Sequence, residues 1–142
     1  SDGPWVEPKL GARRAEEGAY VWQKLMQTGA LVTNGTDAPV EDVDPLESYY
    51  ATVSRMMNNG ERFYPDQRMS RLEALKSYTI NAAYAAFEED IKGTLTPGKL
   101  ADITVLSQNI LTVPEEDIPS TRVEMTIVGG ETVYAVDGGG AR

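Results

Sequence analysis

Residues 30–36 form a short apolar run of strand character that ends at Asp37, and Pro39 stops the strand from continuing. The flanking segments predict helices, so the run has no partner strand in the first two-thirds of the chain. A single strand cannot form a sheet, because the backbone donors and acceptors along both of its edges stay unpaired. We therefore expect the run to complete a larger sheet whose other strands are not in this sequence.

Periodicity and capping signals place three helices around that run. Apolar side chains at helical spacing predict a helix over residues 11–27. Asp44 has the position of an N-cap for a second helix over residues 45–58. Ser70 and Glu73 have the spacing of a capping box, which predicts the start of a third helix.

The last third of the chain is predicted to be rich in β-structure. Residues 103–106 are apolar and mostly β-branched, as in a buried strand. Residues 123–134 alternate between apolar and polar around Gly129 and Gly130, which indicates a hairpin. Residues 137–140 are expected to be a flexible tail.

Composition removes several classes of function. The 142 residues contain no cysteine and no histidine, which excludes disulfides, thiolate chemistry, a Ser-His-Asp triad and a self-contained zinc site. A net charge of −9 disfavours binding to nucleic acid or anionic lipid. No run of 18 apolar residues is present, so no transmembrane helix is predicted. The compartment stays open, with a cytoplasmic location favoured over secretion.

The sequence has features expected of a fragment. It opens Ser1-Asp2-Gly3-Pro4 without a methionine, and its first strand lacks partners. We expect such a chain to self-associate through exposed sheet edges or apolar helix faces. A monomer in light scattering would count against this expectation.

Asp37 is the candidate catalytic residue, and two interpretations of it stay open at this point. A carboxylate at the carboxyl end of a buried strand has the position where α/β folds keep their chemistry, so it could be a metal ligand or a general base. Asp before Ala-Pro is also a common way for a chain to leave a strand in a turn.

Several motifs in order resemble one enzyme family, the amidohydrolase superfamily, and within it the branch that includes N-substituted formamide deformylase. The resemblance covers the chain from about Trp5 to Tyr134, and one departure is Thr36, where serine is usual. The matching segments are Gly11-Ala12-Arg13-Arg14-Ala15, Ala19-Tyr20-Val21-Trp22, Asn34-Gly35-Thr36-Asp37-Ala38-Pro39-Val40, Asp44-Pro45-Leu46, Ala51-Thr52-Val53-Ser54-Arg55, Leu72-Glu73-Ala74-Leu75, Tyr78-Thr79-Ile80-Asn81-Ala82-Ala83-Tyr84, Lys92-Gly93-Thr94-Leu95-Thr96-Pro97-Gly98-Lys99-Leu100-Ala101-Asp102-Ile103 and Val128-Gly129-Gly130-Glu131-Thr132-Val133-Tyr134.

The resemblance implies an α/β fold that is part of a larger two-domain enzyme. Residues 1–90 would be the C-terminal portion of a TIM-type barrel, with its last βα unit, and residues 91–142 would belong to a β-sandwich. The family's activity is hydrolysis of a C–N bond, in an amide or formamide, by metal-activated water. The implied partners are therefore a small amide-type substrate and the remainder of the barrel.

The resemblance also assigns residues. Asp37 matches the aspartate that ends the last barrel strand, which is a metal ligand and takes the proton of the attacking water. Asp2 lies beside an active-site loop motif and is a weaker candidate for substrate contact. The metal is expected to be divalent, with zinc favoured, in the full-length enzyme. Because the family's histidine ligands are absent, this chain alone should bind no metal stably and should be inactive.

Other acidic and basic residues have plainer interpretations. The runs Glu88-Glu89-Asp90 and Glu115-Glu116-Asp117 are expected to be solvated, and Asp102 is expected to cap the entry to a strand. Arg55 is expected to be an ion-pair or snorkelling residue. A non-catalytic assembly or binding module remains the alternative function for the chain as it stands.

Overall fold

The structure, a computed structural model, describes residues 1–136, so the predicted flexible tail at 137–140 lies outside the described residues. Helices occupy the first part of the chain and a small sheet occupies the last part. The α-helices are α1 Gly3–Leu10, α2 Ala12–Gly18, α3 Trp22–Gln27, α4 Pro45–Ser54, α5 Arg71–Tyr78 and α6 Ile80–Ala85; the strands are β1 Ile103–Leu106, β2 Val123–Val128 and β3 Glu131–Ala135; 3₁₀ turns lie at Pro65–Gln67 and Glu115–Ser120.

The helix predicted over residues 11–27 is interrupted in the structure. α2 ends at Gly18 and α3 begins at Trp22, with Tyr20 between them at φ +54°. The Tyr20 hydroxyl donates a hydrogen bond to Asp2, and its ring packs on Trp22 and Phe63. These tertiary contacts override a helical periodicity that is only a weak local preference. α1 was not predicted at all.

α4 confirms its predicted start but not its predicted end. The backbone N–H of Leu46 donates to Asp44 Oδ1 at 2.8 Å, which is the expected N-cap. The helix ends at Ser54 instead of residue 58, because Arg55 adopts a left-handed conformation at φ +57°. The chain then turns back, and the N–H of Phe63 donates to the carbonyl of Arg55 at 2.8 Å.

The predicted capping box at the start of α5 is confirmed. Ser70 N–H donates to Glu73 Oε2 at 2.7 Å, and Glu73 N–H donates to Ser70 Oγ at 3.3 Å. Burial raises the pKa of Glu73, but hydrogen bonds from the Ser70 backbone, the Ser70 hydroxyl and the Gln23 amide outweigh burial and leave that pKa lowered. The helical segment is interrupted at Thr79, after which α6 begins.

The predicted strand ending at Asp37 is not a strand in the structure. Residues 30–36 are outside any helix or ladder, and residues 37–40 form a turn. The physical reason is that the sheet within residues 1–136 consists of β1, β2 and β3 alone, so this segment has no neighbouring strand. The last βα unit of the predicted barrel therefore lacks its β element here.

The β-rich end forms its predicted strands and hairpin, but β1 is not the buried strand that was predicted: Val105 is 41% exposed, because β1 lies at the edge of the sheet. β1, β2 and β3 form an antiparallel sheet in that order. Gly129 and Gly130 have φ of +59° and +88°, as a tight hairpin turn of the primed type requires. Asp102 Oδ1 accepts the Gly129 N–H at 2.8 Å, so Asp102 has a structural role as predicted, but it caps the β2–β3 turn instead of the entry to β1.

A buried apolar cluster connects the helices to the segment between β1 and β2. Ile118, at 0% exposure, lies in the same cluster as residues of α4 and α5. The division of the chain near residue 90 stays a prediction. The members of the cluster are Leu46, Tyr49, Val53, Met69, Ala74, Ile110 and Ile118.

Candidate active-site region

Asp37 lies at the start of an exposed turn. The N–H of Val40 donates to the Asp37 carbonyl at 2.9 Å, which closes residues 37–40. Asp37 has φ +53°, in the left-handed region that aspartate tolerates better than most side chains. Its side chain is exposed, so the carboxylate is free to take a ligand that approaches from outside the described residues.

The segment that leads to Asp37 is held by helices instead of by a sheet. The N–H of Asn34 donates to the Ser77 carbonyl at 3.1 Å, and the Asn81 side-chain amide donates to the Val32 carbonyl at 3.0 Å. The Asn34 side-chain amide donates to Thr52 Oγ1 at 2.7 Å. These contacts bring α4, α5 and α6 onto one short stretch of backbone, which lies outside any helix or ladder.

A cleft of about 590 Å³ opens beside this segment. Asn34 and Gly35 contribute to its wall, whereas Asp37 is not one of its lining residues. Asp2, the weaker candidate, does line the cleft. The structure therefore places Asp2 on the cleft wall. Asp37 lies outside the lining, two residues after Gly35.

Asp2 makes a specific contact inside the cleft. The Tyr20 hydroxyl donates to Asp2 Oδ2 at 2.6 Å. This hydrogen bond, together with partial burial and the nearby charges of Asp2 and Glu41, raises the pKa of Tyr20 above its ordinary value. The Tyr20 ring meets Trp22 and Phe63 edge-on, with centroids 5.8 and 6.0 Å apart, so Asp2 is tied to an aromatic wall.

The prediction that Arg55 is an ion-pair or snorkelling residue is wrong. Within residues 1–136 it makes no ion pair, and it is 8% exposed instead of reaching to solvent. Its Nε donates to the Phe63 carbonyl at 2.8 Å, and its guanidinium lies 5.0 Å from the Phe63 ring centroid. Burial lowers the pKa of Arg55. Its observed contacts fix the loop that follows α4.

The donor atoms present do not make a complete metal site. The sequence has no histidine or cysteine, and residues 1–136 contain no group of three or more acidic residues placed to hold one ion. Asp37 offers an exposed carboxylate, which fits one oxygen ligand of a divalent metal. A complete site would need more ligands than residues 1–136 bring together.

Taken together, the observed architecture is α/β, and its candidate site has one exposed acid at the end of an unpaired extended segment. A sequence profile described as the Amidohydrolase family matches residues 2–134. The chain belongs to this family. The predicted resemblance to amidohydrolases is thereby confirmed at the level of the family.

Similar proteins were found among both characterised sequences and solved structures. The chain is 40% identical to "Protein LONG AFTER FAR-RED 3" of Arabidopsis thaliana over 94% of its own length and 23% of that protein. It is 33% identical to "Putative amidohydrolase YtcJ" of Bacillus subtilis (strain 168), covering 94% of the chain and 26% of that protein. The chain thus spans about a quarter of the length of these relatives.

The chain is similar to the solved structure of an uncharacterized metal-dependent hydrolase from Pyrococcus horikoshii OT3. It matches with a TM-score of 0.69 and 30% identity, over 79% of this chain and 23% of that one. The finer assignment to the formamide deformylase branch has weaker support. The N-substituted formamide deformylase of Arthrobacter pascens is 28% identical over 79% of the chain and 21% of that enzyme.

Sequence reasoning missed the surroundings of the two candidate acids. Tyr20 and Phe63, which line the cleft with Asp2, come together only through long-range packing, so no local signal marks them. Asn34 and Thr52 lie inside motifs that matched the family, but their hydrogen bond joins positions 18 residues apart. None of the helices in the described part of the chain is long and apolar enough to cross a membrane.

Proposed function

We propose that this chain supplies the last barrel strand and one catalytic carboxylate to a metal-dependent amidohydrolase. The family match supports this proposal, since it covers residues 2–134. The structural similarity to a metal-dependent hydrolase supports the same class. In the complete enzyme, residues 30–36 would gain neighbouring strands and become the β element that they are not here.

The observation that carries the proposal is the position of Asp37. It ends the extended segment, begins a turn, and presents an exposed carboxylate held by no side-chain hydrogen bond in the described residues. A turn aspartate with a purely local role is expected to cap nearby backbone N–H groups with its side-chain oxygens. The carboxylate of Asp37 is instead available to a ligand.

We assign Asp37 two tasks in the hydrolysis of an amide-type C–N bond. Its carboxylate would be one ligand of a divalent metal, with zinc favoured, whose other ligands come from outside this chain. The metal, when bound, lowers the pKa of water and so makes it a nucleophile at neutral pH. Asp37 would accept the proton of that water and pass it to the leaving nitrogen. A formamide is one candidate substrate.

The experiment is the substitution Asp37→Asn in the longest natural protein that contains this sequence. Asparagine keeps the shape of the side chain but cannot accept the proton and binds a metal weakly. We expect kcat to fall by about two to four orders of magnitude, as for loss of a general base. The matched control is Asp66→Asn, which removes an exposed carboxylate outside the cleft lining.

The control variant should keep wild-type turnover, and both variants should show the same thermal unfolding midpoint. If Asp37→Asn retained near-normal kcat while folded, the assignment of Asp37 would be wrong. Near-equal losses in both variants would also count against it, since that would point to a general effect of charge.

A non-catalytic assembly or binding module is the second candidate for the chain taken alone. The observation that favours it is the donor set, because no histidine is present and a single exposed carboxylate does not form a metal site. Metal analysis of the purified 142-residue chain distinguishes these two proposals from a third possibility, in which the chain binds zinc on its own. Tight stoichiometric zinc in that chain would contradict both, since neither expects a complete metal site within these 142 residues.

A further inference from the structure

One of the contacts that hold the segment before Asp37 is a side-chain relay to α4. Asn34 donates from Nδ2 to Thr52 Oγ1 at 2.7 Å, in the last turn of α4. Thr52 Oγ1 in turn donates to the Ser48 carbonyl at 2.8 Å, one helical turn earlier. The relay thus joins the strand-like segment to the backbone of α4 without any sheet hydrogen bond.

The direction of each hydrogen bond in this relay is fixed. The hydroxyl of Thr52 has one proton, and the Ser48 carbonyl can only accept, so Thr52 Oγ1 must accept from Asn34. The other end of the Asn34 amide, Oδ1, accepts the Gly35 N–H at 2.9 Å. A flipped amide would lose both contacts, so the side chain has one satisfied orientation.

The relay is close in sequence to the proposed catalytic carboxylate, because Asn34 lies three residues before Asp37. Asn34 fixes the Gly35 peptide, only Thr36 follows before Asp37, and Asp37 then begins its turn. Two residues span at most about 7 Å, so little slack separates the anchored amide from the turn. A displacement of about 1 Å in a catalytic group is enough to cost two orders of magnitude in rate.

We propose that Asn34 and Thr52 are positioning residues for Asp37. This inference rests on the proposed function, because it gives the relay a task only if Asp37 takes part in the reaction. Residues that orient a ligand or base without touching the substrate typically contribute 10- to 100-fold to metal affinity or activity. In this way a side chain of α4, Thr52, would affect the reaction indirectly, by holding Asn34 and the segment that leads to Asp37.

The test compares Thr52→Val with Thr52→Ser in the longest natural protein that contains this sequence. Valine has nearly the shape of threonine but no hydroxyl, whereas serine keeps Oγ as acceptor and donor. We expect kcat of Thr52→Val to fall about 10- to 100-fold with KM unchanged, and Thr52→Ser to recover most of the loss. The pH profile of Thr52→Val should also shift, because the base is displaced from its proton source.

A matched control is Asn109→Ala, far along the chain in the β-rich part. It removes a comparable local bond, in which Asn109 Oδ1 accepts the Leu111 N–H at 3.0 Å. Its kcat, KM and pH profile should equal those of the wild type. A structural readout needs neither metal nor substrate: hydrogen exchange of the Asn34 and Gly35 amides should speed up in Thr52→Val and not in the control.

Two outcomes separate this inference from the function on which it rests. If Asp37→Asn is inactive while Thr52→Val, with faster exchange at Gly35, keeps wild-type kcat, the positioning role is refuted and the proposed function stands. If Asp37→Asn is active, the proposed function itself is refuted. Should Thr52→Val not fold, Asn34→Ala removes the same hydrogen bond from the other side, and unchanged kcat there would again overturn the inference.

Discussion

The sheet β1–β3 and the segment that ends at Asp37 have similar sequence character but different structures. Both contain short apolar runs of strand type. β1, β2 and β3 satisfy one another in an antiparallel ladder, with two glycines forming the turn. Residues 30–36 have no such neighbour in the described residues and are held by hydrogen bonds to the Ser77 carbonyl, the Thr52 hydroxyl and the Asn81 side-chain amide, one on each of three helices.

The difference shows how far a strand pattern alone determines structure. A hairpin brings its own partner within a few residues, so the local sequence is sufficient to build it. The last strand of a barrel pairs with strands that are distant in the chain. Its own sequence therefore indicates only that it can form a strand when those partners are present. In this chain, the self-sufficient region is structural and the dependent region carries the proposed chemistry.

The largest predicted effect is on the cluster that joins the two regions. Ile118 is 0% exposed and lies among residues of α4 and α5, so Ile118→Ala leaves a cavity. We expect the free energy of unfolding of the 142-residue chain to fall by about 2–5 kcal/mol in urea denaturation. Val133→Ala in β3, where the side chain is 56% exposed, should cost far less. Equal costs would show that the sheet is packed more tightly than described.

A smaller effect distinguishes the two regions by the same substitution in each. Gly130 has φ +88° in the hairpin turn, where an added Cβ is strained, so Gly130→Ala should destabilise the chain by about 1–2 kcal/mol. Gly35 has no positive φ and open space around it, so Gly35→Ala should change stability by less than about 0.5 kcal/mol. A larger cost at Gly35 than at Gly130, measured by thermal unfolding, would reverse the comparison.

The features that the sequence predicted correctly are those that depend on residues nearby in the chain. The Asp44 cap, the Ser70–Glu73 capping box and the Gly129–Gly130 hairpin depend on neighbours within a few positions, and each is present. The interruption at Tyr20 and the early end of α4 at Arg55 depend on contacts with Asp2 and Phe63, which sequence spacing cannot show. The predicted strand is not formed because residues 1–136 contain no strand beside it, which a local pattern cannot show.

The smallest prediction concerns the pH dependence of the helix that holds Asn34. Hydrogen bonds lower the pKa of Glu73 in the folded chain, so its carboxylate stabilises the fold above its unfolded pKa near 4.5. At pH 7, Glu73→Gln should lose about 0.3–1 kcal/mol, because glutamine keeps the capping geometry without the charge at the helix N-terminus.

That difference between wild type and variant should vanish as the pH falls through the folded pKa, below 4.5, since the carboxyl is then protonated. Urea denaturation at pH 7 and at successively lower pH measures it. A difference that grew on acidification would contradict the assigned direction of the shift.

The central claim is that Asp37 is a metal ligand in the complete enzyme, and a structure of that enzyme with its metal bound tests it most directly. We expect residues 30–36 to pair with neighbouring strands and a carboxylate oxygen of Asp37 to lie about 2.0–2.2 Å from a zinc ion. A metal whose ligands are complete without Asp37, with this side chain still exposed in its turn, would show that Asp37 is not a ligand.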